Sequence, residues 1–68
     1  MDFLVSANGV LVPVEAKLTA TPVPARAAQI EKLLDLLGQR KGGGMVVCLA
    51  KDRFPLTRRV DAVPLGAF

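Results

Sequence analysis

Hydrophobic and polar residues alternate along the first part of the chain. Phe3 to Ala7 and Val10 to Leu18 change character residue by residue, and Asn8-Gly9 separates the two runs. Such alternation belongs to strands with one covered face. Asn-Gly is the strongest short hairpin signal, because a type I′ turn needs positive φ at both central residues. A two-residue loop makes paired residue numbers sum to 17, so Ala7 faces Val10, Val5 faces Val12 and Phe3 faces Val14. One face of the hairpin over residues 2–18 then carries Phe3, Val5, Ala7, Val10, Val12, Val14, Ala16 and Leu18. All are apolar, so this is the expected core face. The other face carries Asp2, Leu4, Ser6, Leu11, Pro13, Glu15 and Lys17. Pro13 has no N–H to give to a ladder. In this register it meets Leu4 as a non-hydrogen-bonded pair, and its missing donor points towards any third strand.

The period then changes. Thr19 to Pro24 is a proline-rich link, and Pro24 suits the first position of a helix, where its missing N–H is harmless. A helix is expected over residues 24–38. Ala27, Ile30, Leu33, Leu34 and Leu37 form its apolar stripe, while Arg26, Gln29, Glu31, Lys32 and Asp35 lie mainly elsewhere. Gly38 is the natural residue to end it. The stripe is expected to cover the apolar hairpin face. Gly42, Gly43 and Gly44 read as a flexible link. Met45 to Ala50 is a near-continuous apolar run, the mark of a strand (45–50) buried on both faces. Lys51 to Arg53 read as a turn, and a last short strand is expected over 60–65, interrupted by Pro64. The expectation is one small α/β (α+β) domain over residues 1–68: a β-hairpin, one helix, then one or two further strands.

Composition narrows the function classes. With 51% hydrophobic residues and a mean hydropathy of +0.42, the chain is not a disordered tail. No run of about 18 apolar residues occurs, so no membrane-spanning helix is expected. The start has no basic region ahead of an apolar one, so it does not read as a secretory signal, and a cytoplasmic setting is expected. There is one cysteine and no histidine. An internal disulfide, a His-ligated zinc site and the commonest neutral-pH base are all excluded. Nine Lys and Arg against six Asp and Glu give a net charge of +3. That excess suits nucleic acid, and it is equally an ordinary aid to solubility. The absence of Trp and Tyr argues against a base-stacking platform.

The hairpin register places Asp2 opposite Glu15, with Lys17 two residues further on the same face. Cβ atoms of such a pair lie about 4.5–5.5 Å apart, so two carboxylates repel unless a cation joins them. Two readings stand. Hard cations such as Mg²⁺ take carboxylate oxygens together with substrate phosphate, and a nearby lysine can orient water or stabilise developing charge. Alternatively Lys17 bridges the acids as a surface ion pair worth about 0–1 kcal/mol. Of the other candidates, Cys48 reads as a buried inert thiol, since no histidine can activate it. Ser6 reads as an ordinary strand serine on the Asp2 face. Arg58-Arg59 reads as a solvated pair, with phosphate contact as the second option.

An acid on one strand followed by Glu15-Ala16-Lys17 on the next resembles the PD-(D/E)xK signature of restriction-endonuclease-like nucleases. A longer string is more specific: Asp2-Phe3-Leu4-Val5, Val12-Pro13-Val14-Glu15-Ala16-Lys17, Ala20-Thr21-Pro22, the helix, Met45–Leu49 and Val63-Pro64-Leu65. In this order it resembles the C-terminal domain of unknown function, nuclease-like in fold, that prokaryotic AAA-type ATPases carry. The resemblance implies a partial restriction-endonuclease-like core, with Asp2 and Glu15 as Mg²⁺ ligands, Lys17 as the catalytic lysine, and hydrolysis of nucleic-acid phosphodiesters. Gln29 and Lys32 would approach the substrate backbone. The ATPase part is missing and no G-x-x-x-x-G-K-[ST] occurs, so ATP is not an expected cofactor. The helix and strand that precede the Asp2 strand in such folds are also missing, and the chain reads as a truncated stand-alone piece. The alternative is a non-catalytic remnant. One helix covers one face of a small sheet, so a homodimer is expected through apolar surface or an unpaired edge.

Overall fold

The computed structural model describes residues 3–38 and 43–67. The hairpin comes from β1 (Phe3–Ala7) and β2 (Val10–Ala16). Asn8 and Gly9 join them with φ of 52° and 80°, the two positive values a type I′ turn needs. The register runs from Ala7↔Val10 to Phe3↔Val14. A 3-10 turn, Pro24–Ala27, leads into α1 (Ala28–Leu37), so the helix expected over 24–38 opens with one tighter turn. Gly38 closes α1 at φ 72° and donates its N–H to the carbonyls of Asp35 and Leu34. A left-handed residue is cheapest as glycine, and it stops the helix there. No helix of the described residues is long and apolar enough to cross a membrane.

The second half adds β3 (Gly44–Cys48), β4 (Phe54–Pro55) and β5 (Val60–Pro64), then a 3-10 turn, Leu65–Ala67. The fold is α+β: one helix on a five-stranded mixed sheet of order β1-β2-β3-β5-β4. β2, β3 and β5 run parallel, while β1 and β4 are antiparallel edges. Two boundaries move. The strand expected over 45–50 runs from Gly44 to Cys48, and the one expected over 60–65 ends at Pro64. Gly44, expected in a flexible link, is the first residue of β3. A Cβ there would overlap Ile30 Cγ2 and stand 3.3 Å from the Pro13 carbonyl oxygen, so the close approach of α1 requires glycine. The β2–β3 ladder begins at Val14↔Met45, just past Pro13, where backbone donors resume.

The main correction concerns the core face. Glu15 pairs with Val46 and Val14 with Met45. Parallel partners point to the same side, and Val46 belongs to the core beneath α1 with Ala27, Ile30, Leu34, Cys48, Leu56, Val60 and Ala62. The helix therefore covers the face of Pro13 and Glu15, not that of Val12 and Val14. Hydrophobic alternation separates the two sets, but the hand of the β2–α1–β3 connection decides which set the helix meets. β2 is an interior strand, and Pro13, Val14 and Glu15 are all buried. On the helix-free face Val14, Val47 and Val63 are buried, Val5, Val12 and Met45 half-buried, and Val10 and Ala16 exposed. Leu18, assigned to the core, lies beyond the strand end and is 87% exposed.

A polar clasp ties α1 to the β4–β5 connection. Arg59 donates from Nε to Glu31 Oε1 at 2.7 Å and from a terminal nitrogen to Asp35 Oδ1 at 2.8 Å. Thr57 Oγ1 donates to Glu31 Oε2 and accepts the N–H groups of Arg59 and Val60. Glu31 and Asp35 are one helical turn apart, so one guanidinium reaches both. Arg59 is thus neutralised in a clasp and is not the solvated residue expected; Arg58 is exposed. The Thr57 hydroxyl, then Arg59, hold the Glu31 carboxyl below its usual range against partial burial. The bonds to Asp35 and Glu31 hold the Arg59 guanidinium above its ordinary value. Because the Glu31 value is lowered on folding, its contribution is present above about pH 4.3, the unfolded value, and lost as pH falls through the folded one. Thr57→Val is expected to cost about 1 kcal/mol at pH 7, read as a lower urea midpoint. The gap to wild type should narrow below pH ~4. A gap that stays constant from pH 7 to 3 would show that the hydroxyl does not act through Glu31.

Candidate functional site

β2 delivers Glu15 near its end, and Lys17 follows one residue past it. Pairing with β3 does not stop at the strand end. The Lys17 N–H donates to the Val47 carbonyl at 2.9 Å, and the Leu49 N–H to the Thr19 carbonyl at 2.8 Å. Lys17 is therefore held in extended backbone, and its side chain shares the Glu15 side by the two-residue period. That side meets the entry to α1. After buried Pro22, Pro24 fixes the start of the 3-10 turn, and the Arg26 N–H closes it on the Val23 carbonyl at 2.9 Å. The result is a cleft of about 200 Å³ lined by Glu15, Lys17, Ala25, Arg26 and Gln29.

Glu15 is 8% exposed, the most withdrawn charged residue of the described chain, while Lys17 is half-buried and Arg26 exposed. Burial of a carboxylate is costly unless charge or hydrogen bonds compensate it. Among the described residues the ion pairs are Arg53–Asp61, Arg59–Glu31 and Arg59–Asp35, so neither Lys17 nor Arg26 is bound to a described carboxylate. The lining thus joins one withdrawn acid to two cations and an amide.

Of the residues singled out in the sequence, the cleft brings together Glu15, Lys17 and Gln29. Lys32 does not line it. Ser6 pairs with Leu11 near the hairpin turn, roughly 13 Å along the strand from Glu15, and is no part of it. Cys48 is a buried thiol of the core. Asp2 lies outside the described residues. Among the described residues no three His, Cys, Asp or Glu side chains converge as a metal cluster. Arg26 was missed, because sequence alone set it on a helix covering the other face. A broader depression of about 740 Å³, lined by Glu31, Thr57, Arg58 and Arg59, is the outer side of the clasp.

The family model named Domain of unknown function (DUF4143) matches residues 1–68. The chain belongs to this family. Comparison with curated proteins and with solved structures gave no match. The family description assigns no activity.

Proposed function

We propose that the domain is the core of a metal-dependent phosphodiesterase acting on nucleic acid, of the PD-(D/E)xK, restriction-endonuclease-like kind found at the C-terminus of AAA-type ATPases. The supporting observation is the cleft itself: Glu15 and Lys17 emerge side by side at the end of a central parallel strand and face the entry to the crossover helix. The order of elements, a β1–β2 hairpin carrying Glu15-x-Lys17, then α1, then β3, is that of the partial core expected from the sequence.

In this reading Glu15, with Asp2 as second ligand, holds Mg²⁺. The ladder of described pairs ends at Phe3↔Val14, the pair next to that position. The donor fits a hard cation: it is a carboxylate oxygen, and the cleft lining holds neither thiol nor imidazole. When bound, the ion supplies polarisation of a phosphoryl oxygen and a more acidic water. The chain's own part is to hold charge in place. Glu15 is fixed by its ladder and by burial, so little reorganisation is needed on binding. The Lys17 ammonium, on a flexible stem beside it, donates to the attacking water or to the phosphate oxygen that gains charge.

Titrating Mg²⁺ into labelled protein tests this. Saturable amide shifts centred on Asp2, Glu15 and Lys17, lost in Glu15→Gln, are expected. No shift at millimolar metal overturns the proposal. It leaves a second reading, a non-catalytic module that self-associates through the helix-free face, where Met45, Val12 and Val5 are half-buried. Sedimentation equilibrium decides that one: twice the 7.2 kDa chain mass supports it, and a monomer sinks it.

A further inference from the structure

Arg26 and Gln29 stand in the Glu15 cleft, and the fold itself makes no use of either. Arg26 is exposed and bound to no described carboxylate; Gln29, three residues on, is exposed on the same side of the helix entry. Lys17 reaches the same cleft from β2. Two cations and one acid give this lining a net charge of +1, and neither cation is paired with a described carboxylate. That excess favours an anion beside Arg26 and Lys17. A second surface offers a contrast: Arg59 is already neutralised by Glu31 and Asp35, so the wider depression beside Arg58 has little field left for a ligand.

We propose that Arg26 and Gln29, with Lys17, form a phosphate subsite that grips the backbone of a nucleic-acid strand beside Glu15. A guanidinium fork matches two non-bridging phosphate oxygens, the amide NH₂ of Gln29 donates a further hydrogen bond, and Lys17 adds a point charge. Such contacts carry no base information, so the grip is independent of sequence. The subsite deepens the phosphodiesterase reading, since it positions the group that would be cleaved, but binding at it needs no metal.

The test is therefore run in EDTA. A short single-stranded DNA oligonucleotide and inorganic phosphate are titrated separately into labelled protein, following the amides of residues 25–29 and the Arg26 Nε–H and Gln29 NH₂ signals. Saturable shifts of these signals with the oligonucleotide are expected. Arg26→Gln should weaken binding about tenfold, the loss of one charged hydrogen-bonding contact. It should also lower the log–log salt slope by about 0.7, while Arg26→Lys keeps that slope. Thermal melting of Arg26→Gln should match wild type, because the side chain is exposed and bound to no described carboxylate. Equal affinity of wild type and Arg26→Gln, or shifts centred on Arg58, overturn the subsite. Shifts with inorganic phosphate alone overturn the nucleic-acid backbone as ligand. Oligonucleotide binding here without any response to Mg²⁺ would uphold the subsite and remove the hydrolytic reading.

Discussion

Leu34→Ala is expected to remove a large share of the domain's stability. Leu34 is fully buried on α1 and packs in the cluster with Ile30, Val46, Val60 and Ala62. Removing a buried leucine side chain costs about 2–5 kcal/mol, transfer and cavity terms together. Globular domains hold roughly 0.05–0.15 kcal/mol per residue, so a chain of 68 has about 3–10 kcal/mol in all. The loss is then at least about a fifth of the total and, at the upper end of the cost, most of it. Urea unfolding at 25 °C, followed by far-ultraviolet circular dichroism, measures it. A change under about 1 kcal/mol would mean that α1 does not seal this core. Leu36→Ala is the matched control, since Leu36 is 84% exposed on the same helix and its loss should lie within about 0.5 kcal/mol.

The second large effect is expected where α1 crosses the sheet. Gly44→Ala inserts a methyl group into Ile30 Cγ2 and against the Pro13 carbonyl. Ile30 is β-branched and stiff at χ1 in a helix, so it cannot swing aside cheaply. Overpacking of this kind costs about 1–3 kcal/mol. The geometry also names its own remedy. Ile30→Leu keeps the volume but moves the branch from Cβ to Cγ, which removes the colliding methyl group. Gly44→Ala should therefore cost less in the Ile30→Leu background, with a coupling energy of about 1 kcal/mol in a double-mutant cycle. Strict additivity of the two changes would show that the cost arises at the Pro13 carbonyl and not at the helix.

The sequence made some of this legible, and the reasons differ by element. The β1–β2 register followed from Asn8-Gly9, because the turn chemistry leaves one loop length and so one set of pairs. The end of α1 followed from Gly38. β4 was not visible: two residues, one of them Pro55, carry no period, and only tertiary pairing with β5 makes Phe54–Pro55 a strand. The side taken by α1 was misread because both sides of β2 are buried at its end, and alternation there has no polar partner to expose. That one error hid Arg26. Glu15 and Lys17 were found together by their two-residue spacing, but Arg26 joins them through the helix. The Arg59 clasp spans 24 and 28 residues to Asp35 and Glu31, a separation at which one sequence gives no pairing signal.

The two edges of the sheet have unequal consequences for crowding. β4 exposes two residues, one a proline, with Arg53 and Asp61 bridged beside it. Another strand finds almost no backbone to join there. β1 offers five residues, Phe-Leu-Val-Ser-Ala, with no proline and no charge. Natural sheets commonly guard such a strand. Among the described residues, strand addition is thus open on one side only. Two molecules meeting β1 to β1 would use up both receptive edges and present only blocked ones to a third. Growth by this route ends at a pair, and the polarity of the sheet itself works against fibre formation.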